Sequence, residues 1–133
     1  MHETSGGDAA VAATAGRILT YGGAVALAQF SSSNGGHSAP GDFPYLRPQP
    51  DPHDAVIQPN TWTATLSAAA IGEAYPTVGE VQELRVLSRD GYGRYGGRVV
   101  SIQITGSAAS VTVSGPQFRF GTGLRSNLFT VSS

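Results

Sequence analysis

Residues 30–36 read FSSSNGG, three consecutive serines against an Asn-Gly-Gly turn, with His37 immediately after them. A catalytic serine needs a base and an orienting acid, and His37, His53, Asp42, Asp51 and Asp54 supply both types on paper. The local pattern is not the G-x-S-x-G elbow that exposes such a serine on a strand-to-helix turn. A tight polar turn is therefore the expected reading. The same five histidines and aspartates are oxygen and nitrogen ligands, but they are scattered over one irregular segment rather than set at close spacing on a regular element. A surface loop is expected there, with no metal and no cofactor. Gly91–Gly96 reads GYGRYG, a literal G-x-G-x-x-G. Dinucleotide binding requires that turn to open a helix whose N-terminus meets the pyrophosphate. Here it precedes RVVSIQI, so a hairpin loop is expected, with Tyr92 and Tyr95 as flat faces suited to a sugar ring.

The elements that must position these residues belong to one domain of 133 residues. The 18 glycines and 8 prolines, with only 13% charged residues, point away from a helical bundle. Without cysteine there is no disulfide, no thiolate ligand and no thiol nucleophile. The expected class is α+β, mostly antiparallel β: a hairpin over 16–30, an irregular proline-rich loop over 31–61, and one or two short helices with a β-meander over 62–133. RILTY and AVALAQF flank Gly22-Gly23, a pair suited to a two-residue turn. TWTATL reads as a short strand, Ser67 as the N-cap of a helix that Pro76 ends, and Pro116 as the opening of a helical turn over PQFRF. The alternation predicts strands in EVQELRVLS, RVVSIQITG and SVTVSG, with Leu84 and Val86, then Val100, Ile102 and Ile104, then Val111 and Val113 facing inward. LFTV is expected to close the sheet. MHETSGGD has no basic or apolar leader character, and no 18-residue apolar run occurs, so neither signal peptide nor membrane span is expected.

Net charge is −1, but residues 1–84 hold two arginines against eight acids and residues 85–133 hold six arginines against Asp90. Every basic residue is arginine, which suits bidentate contact with carboxylate or phosphate. The plainer expectation is that the two halves face and neutralise each other. Nothing in this pattern points to nucleic acid.

Six blocks occur in order: AVAATAGRILTYGG, AVALAQFSSSNGG, FPYLRPQPDPHD, TWTATLSAAAI, GGRVVSIQITGSAASVTVSG and FRFGTGLRSNLFTV. Together they resemble the stage II sporulation protein D family, SpoIID/LytB, from about Asp8 to Val131. Pro44-Tyr45-Leu46, Asp51-Pro52 and Asp54 fit the family's middle block, Gly97-Arg98-Val99 its G-R-V strand, and Arg119, Gly123, Leu124, Arg125, Ser126 and Phe129 its ending. The resemblance implies work on peptidoglycan glycan strands outside the cytoplasm, as a lytic transglycosylase or an amidase enhancer, with other cell-wall enzymes as partners. In such cleavage a carboxylic acid protonates the glycosidic oxygen and the muramyl 6-hydroxyl closes onto the anomeric carbon. A groove is then expected along Ser32, Ser33, Gly35 and Gly36, with Tyr45, Arg119, Arg125 and Ser126 nearby. Plainer roles compete: turn geometry for the glycines, core for Tyr45, salt bridges to first-half acids for the arginines.

The departures from the family bear on activity. The G-E-M block with the family's catalytic glutamate is not in this chain, and Glu3 stands in a different context. Glu73, Glu80 and Glu83 are expected on solvated faces. Ser31 takes the place of a histidine that holds zinc in some members, and Thr122 that of the usual leucine. Two functions remain open: one wall of a lytic enzyme's glycan groove, inactive without the acid, or a non-catalytic wall-binding, enhancer-like module. A shortened product with an exposed sheet edge is a third reading.

Overall fold

The structure, a computed structural model, describes residues 4–54 and 61–132. Glu3, and the stretch 55–60 of the expected proline-rich loop with its Pro59, lie outside the described residues. The chain is α+β with antiparallel sheets, as its patterning predicts. It begins with a helix the patterning did not predict, α1 (Ser5–Ala13), capped by the Thr4 hydroxyl, which accepts from the Gly7 N–H at 3.2 Å. No residue of α1 is buried, so its alanine content and its cap hold it.

The expected hairpin forms, though with shorter strands than RILTY and AVALAQF. Thr20–Tyr21 (β1) pairs with Ala24–Val25 (β2) across Gly22 and Gly23, whose φ angles of 58° and 83° fit the turn that matches strand twist. Residues 31–54 form no long element but fold back on themselves through backbone bonds: Ser38 N–H to Gln49 at 2.8 Å and Asp51 N–H to Gly36 at 2.9 Å. TWTATL does not form a strand. Trp62 and Leu66 lie against the core instead, and Ser67 caps α2 (Ala68–Ala74) through the Ala70 N–H.

A three-stranded meander carries the core, with β3 (Val81–Arg89), β4 (Val99–Gly106) and β5 (Ser110–Ser114) in sequential antiparallel order. From Ser114 the chain enters α3 (Gly115–Thr122), opened by a full capping box with Gln117. Helices α2 and α3 pack with the sheet around Ile71, Val78, Val99, Ile102, Ile104, Phe118 and Phe129. Gly115 passes against the Val99 backbone so closely that a Cβ would collide with its carbonyl oxygen, which sets how near α3 approaches β4.

The expected inward face of β4 needs one correction. Val99 is fully buried, whereas Val100 is 49% exposed. Val86 pairs Ile102 and Ser88 pairs Ser101, but Arg89 pairs Val99, so Leu87 and then Val100 are extra residues at bulges. Each extra residue reverses the alternation, and the second turns Val100 outward. LFTV likewise adds no strand. Asn127 clamps Val99 instead, its carbonyl accepting the Val99 N–H at 2.8 Å and its Nδ2 donating to the Val99 carbonyl at 3.2 Å. That clamp drops Phe129 into the core beside Phe118 at 5.8 Å between ring centres.

Candidate functional site

The serine run ends in a turn organised by one carboxylate twenty residues later. Asp54 accepts from the Ser33 hydroxyl at 2.9 Å, the Asn34 N–H at 2.9 Å and the Gly35 N–H at 3.0 Å. Asn34 is held at both ends of its carboxamide, donating to Asp51 at 2.9 Å and accepting from the Gly36 N–H at 2.9 Å. Successive N–H groups converging on an oxyanion are the backbone's own anion cradle. Partial desolvation pushes the Asp54 carboxyl upward, but the donors from Asn34, Ser33, Gly35 and Gly36 outweigh it and hold the group below its ordinary value. Asp54 therefore stays ionised and has no proton to give. Ser33 faces a carboxylate with no histidine between them, and Ser31 donates to the Ser33 carbonyl at 3.2 Å, so neither arrangement is a nucleophile–base pair.

Arg98, from the G-R-V block, ties this turn to the sheet. Its Nη2 donates to the carbonyls of Asn34 at 2.7 Å and His37 at 2.9 Å, while Nη1, buried and without a hydrogen-bond partner among the described residues, lies 3.7 Å from Asp90. The other Asp90 oxygen accepts the N–H groups of Tyr92 and Arg98, which closes the GYGRYG segment as a hairpin loop between β3 and β4. No helix follows that loop, so the nucleotide reading has no geometry to rest on. His37 Nδ1 lies 2.9 Å from the Ser38 carbonyl, a contact that needs the proton on Nδ1, and its ring stacks on Tyr92 at 4.7 Å. Tyr92 thus spends one face on His37, while Tyr95 remains 52% exposed.

Gly35, at φ 72°, leaves room for the Leu128 side chain, which would collide with any Cβ there. The turn and the C-terminal segment consequently form one wall. An open cavity of about 1310 Å³ runs along it and brings together Ser32, Ser33, Gly35, Arg119, Arg125 and Ser126 of the expected groove. Gly36 and Tyr45 are not among its lining residues. Gly36 sits at φ 89° behind the turn, its carbonyl bonded to Asp51. Tyr45 anchors the hairpin: its hydroxyl accepts the Leu27 N–H at 3.0 Å and its ring lies between Tyr21 and Phe43.

Beyond the residues expected from the sequence, Trp62, Tyr95, Arg47 and Arg94 also line the cavity. The charge asymmetry was the available signal for the arginines. The expected pairing of the two halves is not found, because the one ion pair among the described residues, Arg98 with Asp90, lies within the second half. Arg119 donates to the Leu124 carbonyl at 3.2 Å and sits 4.9 Å over the Phe120 ring rather than pairing with an acid. Glu73, Glu80 and Glu83 are exposed and outside the cavity lining. Among the described residues no group of three histidines and carboxylates is placed to hold a metal. No helix among the described residues is long and apolar enough to cross a membrane. Compared with known proteins, the chain matches no family model, no curated protein and no solved structure.

Proposed function

We propose that this chain is a peptidoglycan-associated, SpoIID-like segment that holds a glycan strand outside the cytoplasm and forms one wall of a lytic transglycosylase groove. The observation that carries the reading is the junction of the Ser32–Gly35 turn with the Arg119–Ser126 segment along one open cavity. Its volume exceeds the roughly 300–1,000 Å³ of small-molecule pockets, which suits an extended polymer. Serine hydroxyls, arginine forks and the exposed face of Tyr95 are groups that hold sugars and their substituents.

A second reading, wall binding without catalysis, is favoured by the state of the one carboxylate that lines the cavity among the described residues. Asp54 is fixed as an anion by its donors, whereas strand cleavage needs a carboxyl kept protonated. Co-sedimentation with purified peptidoglycan, followed by mass spectrometry for anhydro-muropeptides, separates the two. Retention with no release supports the binding role; release supports a complete catalytic site. A chain that neither sediments nor releases product overturns both.

A further inference from the structure

Among the described residues the cavity wall carries five arginines, Arg47, Arg94, Arg98, Arg119 and Arg125, and a single carboxylate, Asp54. Arg98 is paired with Asp90, so four arginines, Arg47, Arg94, Arg119 and Arg125, stand against Asp54, +4 against −1, in a chain whose net charge is −1. The arginines come from separate parts of the fold: the proline-rich segment, the β3–β4 loop, the residue that precedes β4, helix α3 and the segment after it. Chance placement on one solvated strand face does not account for such convergence. Asp54 already serves the Ser33–Gly35 donors, and the Leu124 carbonyl that Arg119 contacts is a dipole that leaves its guanidinium charge in place. Arg47, Arg94 and Arg125 are exposed, and none forms an ion pair among the described residues.

Like charges gathered along a concave wall raise the local potential and concentrate counter-ions there. A neutral sugar chain gains little from that field. Guanidinium forks match carboxylate and phosphate oxygens in bidentate geometry, which neutral hydroxyls do not offer. We infer that the cavity binds a wall polymer bearing oxyanions at intervals, carboxylates or phosphodiesters, through Arg47, Arg94 and Arg125. The inference rests on the peptidoglycan reading and narrows it from any glycan to an anionic strand.

The test titrates the full chain with three labelled probes of matched length, followed by fluorescence anisotropy: neutral chitin oligosaccharide, the same oligosaccharide oxidised to carboxylates at C6, and poly(glycerol phosphate). At about 0.05 M salt an anionic probe is expected to bind at least about tenfold more tightly than the neutral one. That preference should collapse towards 1 M salt, where the screening length falls to about 3 Å. The triple variant Arg47→Glu, Arg94→Glu, Arg125→Glu changes exposed side chains only, and is expected to keep its melting temperature while losing the preference. Tighter binding of the oxidised glycan assigns the anion to the glycan itself; tighter binding of poly(glycerol phosphate) assigns it to a phosphodiester polymer. Equal, salt-insensitive binding of all three probes overturns the anion inference and leaves the glycan reading standing. An unchanged preference in the folded triple variant also overturns it. Binding of poly(glycerol phosphate) alone keeps the anionic site and removes the glycan reading, and binding of none removes both.

Discussion

Replacing Asp54 by alanine removes the acceptor of three hydrogen bonds at once, those from Ser33, Asn34 and Gly35. Bonds to a charged acceptor contribute about 1.5–3 kcal/mol each where water is excluded. Here the turn is only part-buried, so water replaces much of what is lost and screening discounts the charge. A total cost of about 2 kcal/mol follows for the turn. Because Arg98 still grips the Asn34 and His37 carbonyls, the cost should fall on local opening more than on global unfolding. Native-state hydrogen exchange reads this directly: the Asn34 and Gly35 amides should exchange about thirtyfold faster, the factor that 2 kcal/mol represents, while β4 amides remain unchanged. The Asp54→Asn variant, which can accept at one oxygen, should fall between the two. If Asn34 and Gly35 keep their wild-type protection in Asp54→Ala, the carboxylate is not what orders the turn. The pH dependence has a fixed sign. A carboxyl depressed in the fold stabilises fully above its unfolded pKa and loses that contribution as pH falls through the folded value. Protection of the two amides should therefore hold at neutral pH and fade only below the ordinary carboxylate range.

The bulged register of β4 predicts that Val99→Ala lowers stability by about 2 kcal/mol in urea denaturation, whereas Val100→Ala, at an exposed site, changes it by less than about 0.5 kcal/mol. Equal effects would contradict the register. Gly115→Ala should destabilise by about 1–3 kcal/mol through displacement of α3 from β4, measured as a lowered melting temperature. Phe118→Ala should cost about 3–5 kcal/mol, since its ring is 1% exposed and packs between Tyr75 and Phe129. Phe30→Ser should leave melting unchanged and raise solubility, because that ring is 99% exposed.

Much of the scaffold was legible because its signals are local. Ser67 caps the helix that follows it, Pro116 opens the next one, Gly22-Gly23 makes the hairpin turn, and alternating apolar residues mark the three strands of the meander. The misreadings share a different cause. TWTATL and LFTV carry strand-forming residues, but a strand exists only where a neighbour's edge accepts it, and both stretches instead lodge an aromatic against the core. Helix α1 has a weak sequence signal because Gly6 and Gly7 dilute the pattern that its alanines and Thr4 cap restore.

For the FSSSNGG turn, sequence chemistry alone determined the polar, glycine-shaped backbone and excluded a nucleophile elbow. It also disclosed an arginine-only basic half, without saying where that charge would gather. Only the tertiary structure decided that Asp54 fills the turn's N–H cradle, that Leu128 passes over Gly35, and that arginines from distant segments line one cavity. The physical reason is range: caps and turns are set within a few residues, whereas a carboxylate twenty positions away or a guanidinium sixty positions away meets its partner only after the chain has folded back on itself.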